Sequence, residues 1–494
     1  MRPRLLAAFS APCALLAACN LAPDYEPPKV DMPAHYKEAA GWTRGEPQDD
    51  RPRGEWWRAF NDRVLNELEQ QVESANPNIS AALGAMERAR AFVAKAEAGL
   101  LPFLQFGGGL SADKQSAHRP LRKANTPFST QGAAEAILTG RPLNEPDHFG
   151  NNVIQLQASY EIDLWGRVRN AVEAGRAEAD ASAADLYSVE LSLQGELARD
   201  YIALRGLDAE KKLLIHTEKV YRDALELTRT RFAGQIASPA DVPRAEAQLD
   251  MVRAQLADLS ARRALIEHAI AAVIGKAASN FSLAPSAKAL SAPRVPIGMP
   301  STLLQRRPDV AAAERRLAAA NQSIGVARAA FFPRLTFNLA GGMQDTGLNL
   351  LNIKNSMWSV GPAVTLPIFD AGARLADLGA AEAAYLETTA HYRASVLRAV
   401  QEVEDELATL RYLETQARNV GAAASANRKV LDVSLGFYRE GAETYLDVVS
   451  AQTAALDAQR ASLQIVTRRL QASLALMMAL GGGWSSPDVA SARP

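Results

Sequence analysis

The chain contains two copies of one sequence unit, and this internal repeat limits the folds that it can adopt. Pro77 and Pro102 lie 25 residues apart, and so do Pro308 and Pro333, with matching residues around each pair. The two copies are offset by 231 residues at these prolines and by 206 residues further along the chain. The first copy therefore has 25 extra residues between Pro102 and Gly166. We predict a twofold internal repeat in which one copy carries the longer loop.

The first residues have the order of an export signal. A basic start and the apolar stretch 5–18 lead to small residues just before Cys19. This order is typical of a secretory signal peptide, here 1–18. The four residues that end at Cys19, LAAC, also resemble the bacterial lipobox, which implies cleavage before Cys19 and its acylation. The alternative is an ordinary signal peptide followed by an incidental cysteine.

The start of the mature chain is rich in proline. Because Cys13 leaves with the signal, the mature chain has one cysteine, at its first residue, and no disulfide to form. Prolines recur from Pro23 to Pro47 and favour an extended backbone. We expect a lipidated extended tether over 19–60.

Four stretches alternate apolar and polar residues, as half-buried strands do. They are predicted at about 103–111, 152–163, 334–343 and 356–367. Each is about long enough to cross a bilayer as a tilted strand with one apolar and one polar face. Beyond the signal, no stretch has the run of about 20 apolar residues that a spanning helix needs. A soluble β-sandwich, whose strands also alternate, is the alternative on pattern alone.

Long stretches with apolar residues at helical spacing, the first of them free of proline, predict the helices that form the bulk of the protein. A helix of about 65 residues is roughly 100 Å long, which implies a coiled-coil-like partner. Each of the two longest helices is expected to turn back at a glycine, Gly234 or Gly441. The four helices are predicted at about 166–232, 240–274, 373–438 and 445–480.

These elements suggest a domain order. Repeat 1 is predicted over 61–276 and repeat 2 over 301–480, joined by a linker over 277–300 that is rich in proline. The residues after the last helix, 481–494, are expected to form a disordered tail.

The two helical returns share a capping pattern. Ser238 is followed three residues later by Asp241, and Thr444 is followed in the same way by Asp447. A hydroxyl residue with an acid three positions on forms a capping box, and Pro239 suits the first helical position. This interpretation explains both acids without any further role.

The sequence argues against catalysis and against nucleic-acid binding. A net charge of -1 gives no basis for a partner selected by bulk charge. The six histidines are scattered, and none stands at metal-ligand spacing from another ligand type. The glycines at 107–109 fall in a predicted strand, so they do not open a phosphate-binding helix. We expect no enzyme activity, no cofactor, no metal and no nucleic-acid partner.

Several motifs together resemble one family. They are Cys19 with Pro23-Asp24-Tyr25, Trp56-Trp57, YEIDLWGRVR at 160–169, RRPD at 306–309, FFP at 331–333 and the stretch 438–447. Their order and spacing resemble the outer-membrane factor family, the TolC-type exit ducts, in its lipoprotein branch. The resemblance implies a mixed α/β membrane protein that forms a homotrimer. Each chain would give four strands to a twelve-stranded transmembrane β-barrel and its helices to an α-helical barrel. Four strands leave open edges that lipid does not tolerate, so closure requires other chains.

The resemblance also implies roles for residues at the returns. Asp241 and Asp447 match acids that ring a periplasmic gate, and Tyr438 matches a residue that ties the helices shut. Glu443 stands where one family member has a basic tie residue, and Ser450 stands where that member has a second acid. The hydrogen bonds of that gate therefore do not transfer to this chain.

The implied function is conduction across the cell outer membrane. Trp165 and Phe369 fall at strand-to-helix junctions, where an aromatic belt is expected. The resemblance implies a passive exit channel for small molecules in a tripartite efflux pump, with a periplasmic adaptor and an RND-type inner-membrane transporter as partners. A type I protein-secretion duct is an alternative of the same class. A non-conducting coiled-coil lipoprotein tether is the alternative from another class.

Overall fold

The computed structural model describes residues 20–38, 55–114, 148–288, 290–293 and 307–482. The signal peptide, Cys19, and parts of the predicted tether and linker lie outside these ranges. Gly481 and Gly482 form a buried turn after the last helix, so ordered backbone enters the segment expected to be a tail, and residues 483–494 are not described.

Seven α-helices dominate the described chain, and the predicted long helices are confirmed. Their bounds are α1 Arg63–Ala75, α2 Pro77–Ala98, α3 Arg167–Ala233, α4 Asp241–Val273, α5 Pro308–Ala329, α6 Ala373–Glu440 and α7 Tyr445–Ala479. Helices α3 and α6 have 67 and 68 residues, about 100 Å each. Both lack proline and are rich in alanine, which favours an unbroken helix. Within the described chain, no helix combines the length and apolarity that crossing a bilayer requires.

Four antiparallel strands form one sheet in the order β1-β2-β3-β4. Their bounds are β1 Phe103–Lys114, β2 His148–Ile162, β3 Arg334–Asp345 and β4 Ser356–Thr365. The four predicted strands are therefore present. Strands β1 and β4 are the outer members of this sheet.

The strand register separates apolar from polar side chains. Phe106 pairs with Leu156, Leu156 with Gly341, and Gly341 with Trp358. Because side chains alternate across a strand, most apolar residues of the four strands share one face, whereas Phe103, Val153 and Met357 lie on the other. The apolar face is open in the single chain, where Phe106 is 72% and Trp358 78% exposed. The opposite face carries mainly Gln, Ser, Asn, Thr and Gly, including the pairs Gln105 with Gln157 and Ser159 with Asn338.

The chain divides into two compact units, and each draws on both predicted repeats. A sheet unit comprises Met1–Asp24, Ala91–Arg176 and Ala319–Tyr385, and a helical unit comprises Tyr25–Arg90, Ala177–Ala318 and Leu386–Pro494. Corresponding segments of the two repeats therefore come together in each unit.

The helical unit holds two buried apolar clusters. One surrounds Trp57 and Phe60 near the start of α1, and the other contains Leu214, Tyr438 and Tyr445. The second cluster joins α3, α4, α6 and α7 beside the two helical returns. Four helices pack together there, and this packing fixes the positions of Tyr438 and of the residues at the two returns.

The segment before α1 is extended and is attached to helix α6. Residues 20–38 contain no helix or strand. The backbone N–H groups of Lys37 and Glu38 donate to the two carboxylate oxygens of Glu404, at 2.6 Å and 3.0 Å. Arg411 pairs with the Glu38 carboxylate at 3.0 Å. These bonds hold residues 37 and 38 of the predicted tether against the helix.

A buried network of charges fastens the chain after α4 to helices α3 and α4. Asp208 accepts from Arg205 at 3.0 Å and from Arg263 at 2.8 Å, and its side chain is 1% exposed. Arg263 also pairs with Glu267 at 2.6 Å. Two cations and two anions thus neutralise each other out of contact with water. Backbone groups of the segment 283–286 complete the network.

Candidate functional site

The two helical returns close with the same backbone bond. The N–H of Ile236 donates to the carbonyl of Arg231, and that of Ala442 donates to the carbonyl of Phe437, both at 2.9 Å. A bond from an N–H to the carbonyl five residues earlier ends a helix when the residue just before the donor has a left-handed backbone. That residue is Gln235 in the first return, with φ of 60°, and Gly441 in the second, with φ of 84°.

The first turn therefore uses a different residue from the expected Gly234. The offset of 206 pairs Gly441 with Gln235, one position after Gly234. A left-handed glutamine carries a steric cost that glycine avoids. The bond to Arg231 and the packing of both helices maintain the turn in spite of this cost.

Gly441 offers a direct test of this turn geometry. We expect Gly441→Ala to lower the free energy of unfolding by about 1 kcal/mol, because φ is positive there. The nearest atom to an added Cβ is 3.6 Å away, so backbone strain is the expected cause. The matched control is Gly436→Ala inside α6, where no atom lies within 4 Å of an added Cβ. Alanine should raise stability there by up to about 1 kcal/mol. Thermal unfolding of the purified variants measures both, and changes of the same sign would contradict the interpretation.

The acids at the start of the returning helices act as caps, but only one forms the predicted box. Thr444 and Asp447 form the box: the Thr444 hydroxyl accepts from the Asp447 N–H, and Asp447 accepts from the Thr444 N–H at 3.3 Å. In the first return, Asp241 accepts from the Ser238 N–H at 3.0 Å. The Ser238 hydroxyl, however, accepts from Ala240 at 3.3 Å. Helix α4 begins at Asp241, not beside Ser238, because a tight turn over Pro239 and Ala240 comes first.

The two acids differ in their access to solvent. Asp241 is 8% exposed and lies 3.5 Å from the Arg244 guanidinium. Asp447 is exposed. Burial is the main cause that raises the pKa of the Tyr445 phenol, and Tyr438, Tyr221 and the negative charge of Asp241 add to it, so Tyr445 lies close to the start of α4. In this single chain, Asp447 is the acid that presents its charge to water.

Tyr438 is held by contacts that join α6 to α3 and α7. Its hydroxyl donates to the Thr228 hydroxyl at 3.2 Å, and Thr228 donates in turn to the Ala224 carbonyl at 2.8 Å. The Arg231 guanidinium lies over the Tyr438 ring at 4.6 Å and donates to the Tyr438 carbonyl. The Tyr445 ring packs against the Tyr438 ring, with 5.4 Å between the two ring centroids. A phenol is thereby fixed between the two helical hairpins.

Sequence reasoning missed Arg231 and Thr228. Both lie on α3, about 200 residues before Tyr438, and neither belongs to a motif. The repeat offered one indirect signal: the offset of 206 pairs Tyr438 with Phe232, the residue next to Arg231.

The two residues that depart from the family pattern lie apart from the Tyr438 contacts. Ser450 donates to the Leu446 carbonyl of its own helix at 3.0 Å. One carboxylate oxygen of Glu443 is buried and has no hydrogen-bond partner within the described chain. Within the described chain, the hydrogen bonds that join the hairpins beside the returns are those of Tyr438 and Arg231, and Arg460 of α7 pairs with Glu210 of α3 further along.

The two predicted aromatic residues belong to the sheet unit. The Trp165 indole N–H donates to the Pro333 carbonyl at 2.8 Å, and the ring stacks on Phe332 at 4.7 Å. Phe369, after β4, is 87% exposed. The structure thus places an anchored tryptophan and an open phenylalanine at the ends of strands.

Comparisons with known proteins agree with this architecture. The model of the outer membrane efflux protein family matches residues 68–276 and 299–482. The pyoverdine export outer membrane protein OpmQ of Pseudomonas aeruginosa is 30% identical over 487 residues, covering 97% of both chains. Nodulation protein T of Rhizobium leguminosarum is 28% identical over 478 residues, covering 95% of this chain and 96% of the relative.

A solved structure shows the same fold. The outer-membrane channel OprN superposes with a TM-score of 0.84 at 28% identity, and the match covers 94% of this chain and all of OprN. The family match covers most of the chain, and it includes the sheet, the long helices and both returns. The chain therefore belongs to the outer membrane efflux protein family.

Proposed function

We propose that this protein is a passive outer-membrane exit channel of a tripartite efflux pump. The observation that carries the proposal is the four-stranded sheet, with one exposed apolar face and one polar face. Lipid accommodates the apolar face, and the polar face suits a water-filled lumen. The unpaired outer edges of β1 and β4 are not tolerated in hydrocarbon.

Closure of the sheet calls for further copies of the chain. Three chains with four strands each give a twelve-stranded barrel, which is our proposal for the assembly. The helices α3, α4, α6 and α7 would form an α-helical barrel that carries the lumen into the periplasm. Trp165 and Phe369 would belong to the interfacial aromatic belt, and an acylated Cys19 would add a lipid anchor.

The helical returns would form the gate. Asp447 and Asp241 would ring the lumen with negative charge once three copies assemble. The contacts of Tyr438 with Thr228 and Arg231 would hold the two hairpins of one chain together in the closed state. Opening would require these contacts to break, and the energy would come from partners, because passive conduction supplies none. Glu443, Ser450 and the turns at Gly234, Ser238, Gly441 and Thr444 would shape this end of the channel.

The names of relatives guide the proposed cargo and partners. OpmQ is named for pyoverdine export, and another relative, TtgC of Pseudomonas putida, is named as a probable efflux pump outer membrane protein. We therefore propose small-molecule cargo, a periplasmic adaptor and an RND-type inner-membrane transporter as partners. The channel needs no cofactor for conduction.

Single-channel current through purified protein in a planar bilayer tests the proposal. We expect discrete conductance with a preference for cations, measured from the reversal potential in a salt gradient. The double variant Asp241→Asn, Asp447→Asn should lose most of this preference, because the amide oxygen keeps the capping bonds while the charge is removed. Absence of conductance from folded wild-type protein would favour the tether instead.

Matched variants separate charge from capping. Asp250→Asn with Asp457→Asn removes two acids nine and ten residues further along the same helices, roughly 14 Å from the returns. This control should keep the cation preference. The variant Asp241→Ala, Asp447→Ala removes both charge and caps. If only the alanine variant changes the current, the two acids are caps and the proposed ring is wrong.

A further inference from the structure

Helix α6 passes over part of the helical unit without packing tightly on it. Leu413 and Ser434 are both buried, yet none of the residues 414–433 between them is buried, and the structure describes all of them. This interval contains a run of small residues, Gly421-Ala422-Ala423-Ala424. Small side chains fill less space, so room remains beneath the helix.

A cavity of about 520 Å³ opens near the end of this interval, between α3, α6 and α7. Its walls combine aliphatic side chains with polar ones; the aliphatic ones include Leu213, Val220, Leu227, Leu431 and Leu456, and the polar ones include Thr217 and Gln459. Its charged lining residues, among them Arg428 and Asp432, are exposed. This volume is in the range that holds small organic molecules.

Two buried polar side chains line the cavity without hydrogen-bond partners in the described chain. Gln452 is 1% exposed, and neither its amide nitrogen nor its amide oxygen is bonded. Tyr221 is 3% exposed, and its hydroxyl is unbonded. A buried polar group without a partner costs about 1–3 kcal/mol. Together they leave three donor hydrogens and two acceptor oxygens unpaired beside the aliphatic side chains of the cavity.

From this arrangement we infer that the cavity is a binding site for a small uncharged molecule with an apolar body and an amide group. An amide would pair reciprocally with the Gln452 amide and reach the Tyr221 hydroxyl, while the aliphatic walls would hold the body. The buried end of the cavity is uncharged, so a charged group there would lose hydration without a partner. The inference is independent of the proposed gate, because it concerns binding and not current.

The probe for the test is 4-bromobenzamide, soaked into crystals of the full-length protein. The anomalous signal of bromine locates the ligand without reference to its affinity. We expect a bromine peak in the cavity and the amide within hydrogen-bond distance of Gln452. A matched compound, 4-bromotoluene, has the same ring but no amide and should bind at least about tenfold more weakly. Water alone in the cavity, or a side chain from a neighbouring copy filling it, would overturn the inference.

Variants with calorimetric titration provide the second arm. Gln452→Leu should weaken binding of 4-bromobenzamide about tenfold and Tyr221→Phe severalfold. Gln452→Leu should also raise the thermal midpoint of the unliganded protein, because it removes an unsatisfied buried amide. Ala455→Leu, on the α7 wall, should abolish binding by filling the space. Unchanged affinity in Gln452→Leu would refute the proposed recognition even if the ring occupied the cavity.

Discussion

Asp208→Asn is expected to lower the free energy of unfolding by about 3–5 kcal/mol, because it breaks a buried charge network. Arg205 and Arg263 share this carboxylate as a partner, and it also accepts from the Ser286 N–H at 2.9 Å. After the substitution, two buried guanidinium groups face a single remaining acid, Glu267. The two guanidinium groups would remain buried with too little negative charge to offset their lost hydration, and this accounts for most of the lost stability.

The same substitution should loosen the chain after α4. Arg263 donates to the Leu283 carbonyl at 2.7 Å and Arg205 donates to the Ala284 carbonyl at 3.0 Å, so the network also fixes this segment. Urea unfolding measures the stability change, and limited proteolysis near residue 284 measures the loosening.

The control for Asp208 is Asp250→Asn, on α4. Asp250 pairs with Arg253 at 3.1 Å, but both side chains are more than half exposed. Water screens such a pair, so its loss should change stability little. Equal effects of the two substitutions would show that burial of the network is not the source of its stability.

A second large effect is expected at Glu69 of α1, whose stability contribution should depend on pH. Glu69 is fully buried, and neither of its carboxylate oxygens has a hydrogen-bond partner in the described chain. Burial raises the pKa of this carboxyl from 4.5 to about 9. The folded protein therefore keeps a proton at neutral pH that the unfolded chain releases.

The sign of the pH dependence follows from this proton. Between pH 4.5 and 9 the folded state binds one proton more at Glu69, so the free energy of unfolding falls as pH rises. The loss approaches about 1.4 kcal/mol per pH unit, or roughly 3 kcal/mol from pH 4.5 to 7. Glu69→Met, which keeps the length of the side chain, should remove this dependence and raise stability most near pH 9.

Unfolding curves collected from pH 5 to 9 test the assignment to Glu69. Glu190 also titrates in this range, because burial and the nearby charge of Glu73 raise its pKa to about 7. The interval from pH 8 to 9 is therefore the most specific for Glu69. The control is Glu67→Met on the same helix, where an exposed glutamate pairs with Arg63. If the free energy of unfolding of Glu69→Met fell with pH above pH 8 as steeply as that of the wild type, the assignment to Glu69 would be wrong.

The spacing of apolar residues along the chain was sufficient to predict the main helices and strands. The alternation in β2 and β4 identified two strands and the face of each residue, and the bounds of α6 and α7 lie within about two residues of those expected. Such patterns are local, because each residue takes its place relative to its near neighbours along the chain. The motifs likewise identified the family, which the comparisons confirm.

Contacts between distant segments could not be predicted. The tie between Tyr438 and Thr228 spans 210 residues, and no spacing within either helix indicates it. Ser238 and Asp241 illustrate a smaller error. The pattern of a capping box was present, but the helix begins at Asp241, after a turn over Pro239, so only one of the two bonds of the box forms.

The sequence by itself determined the repeat, the helices, the strands with their two faces and the family, because these depend on local spacing and on motif order. Only the tertiary structure decided that Gln235 makes the first turn, that Arg231 clasps Tyr438, and that Glu69 is buried as an acid. Each of these depends on which helices pack together, and hence on desolvation and contact among residues far apart in the chain.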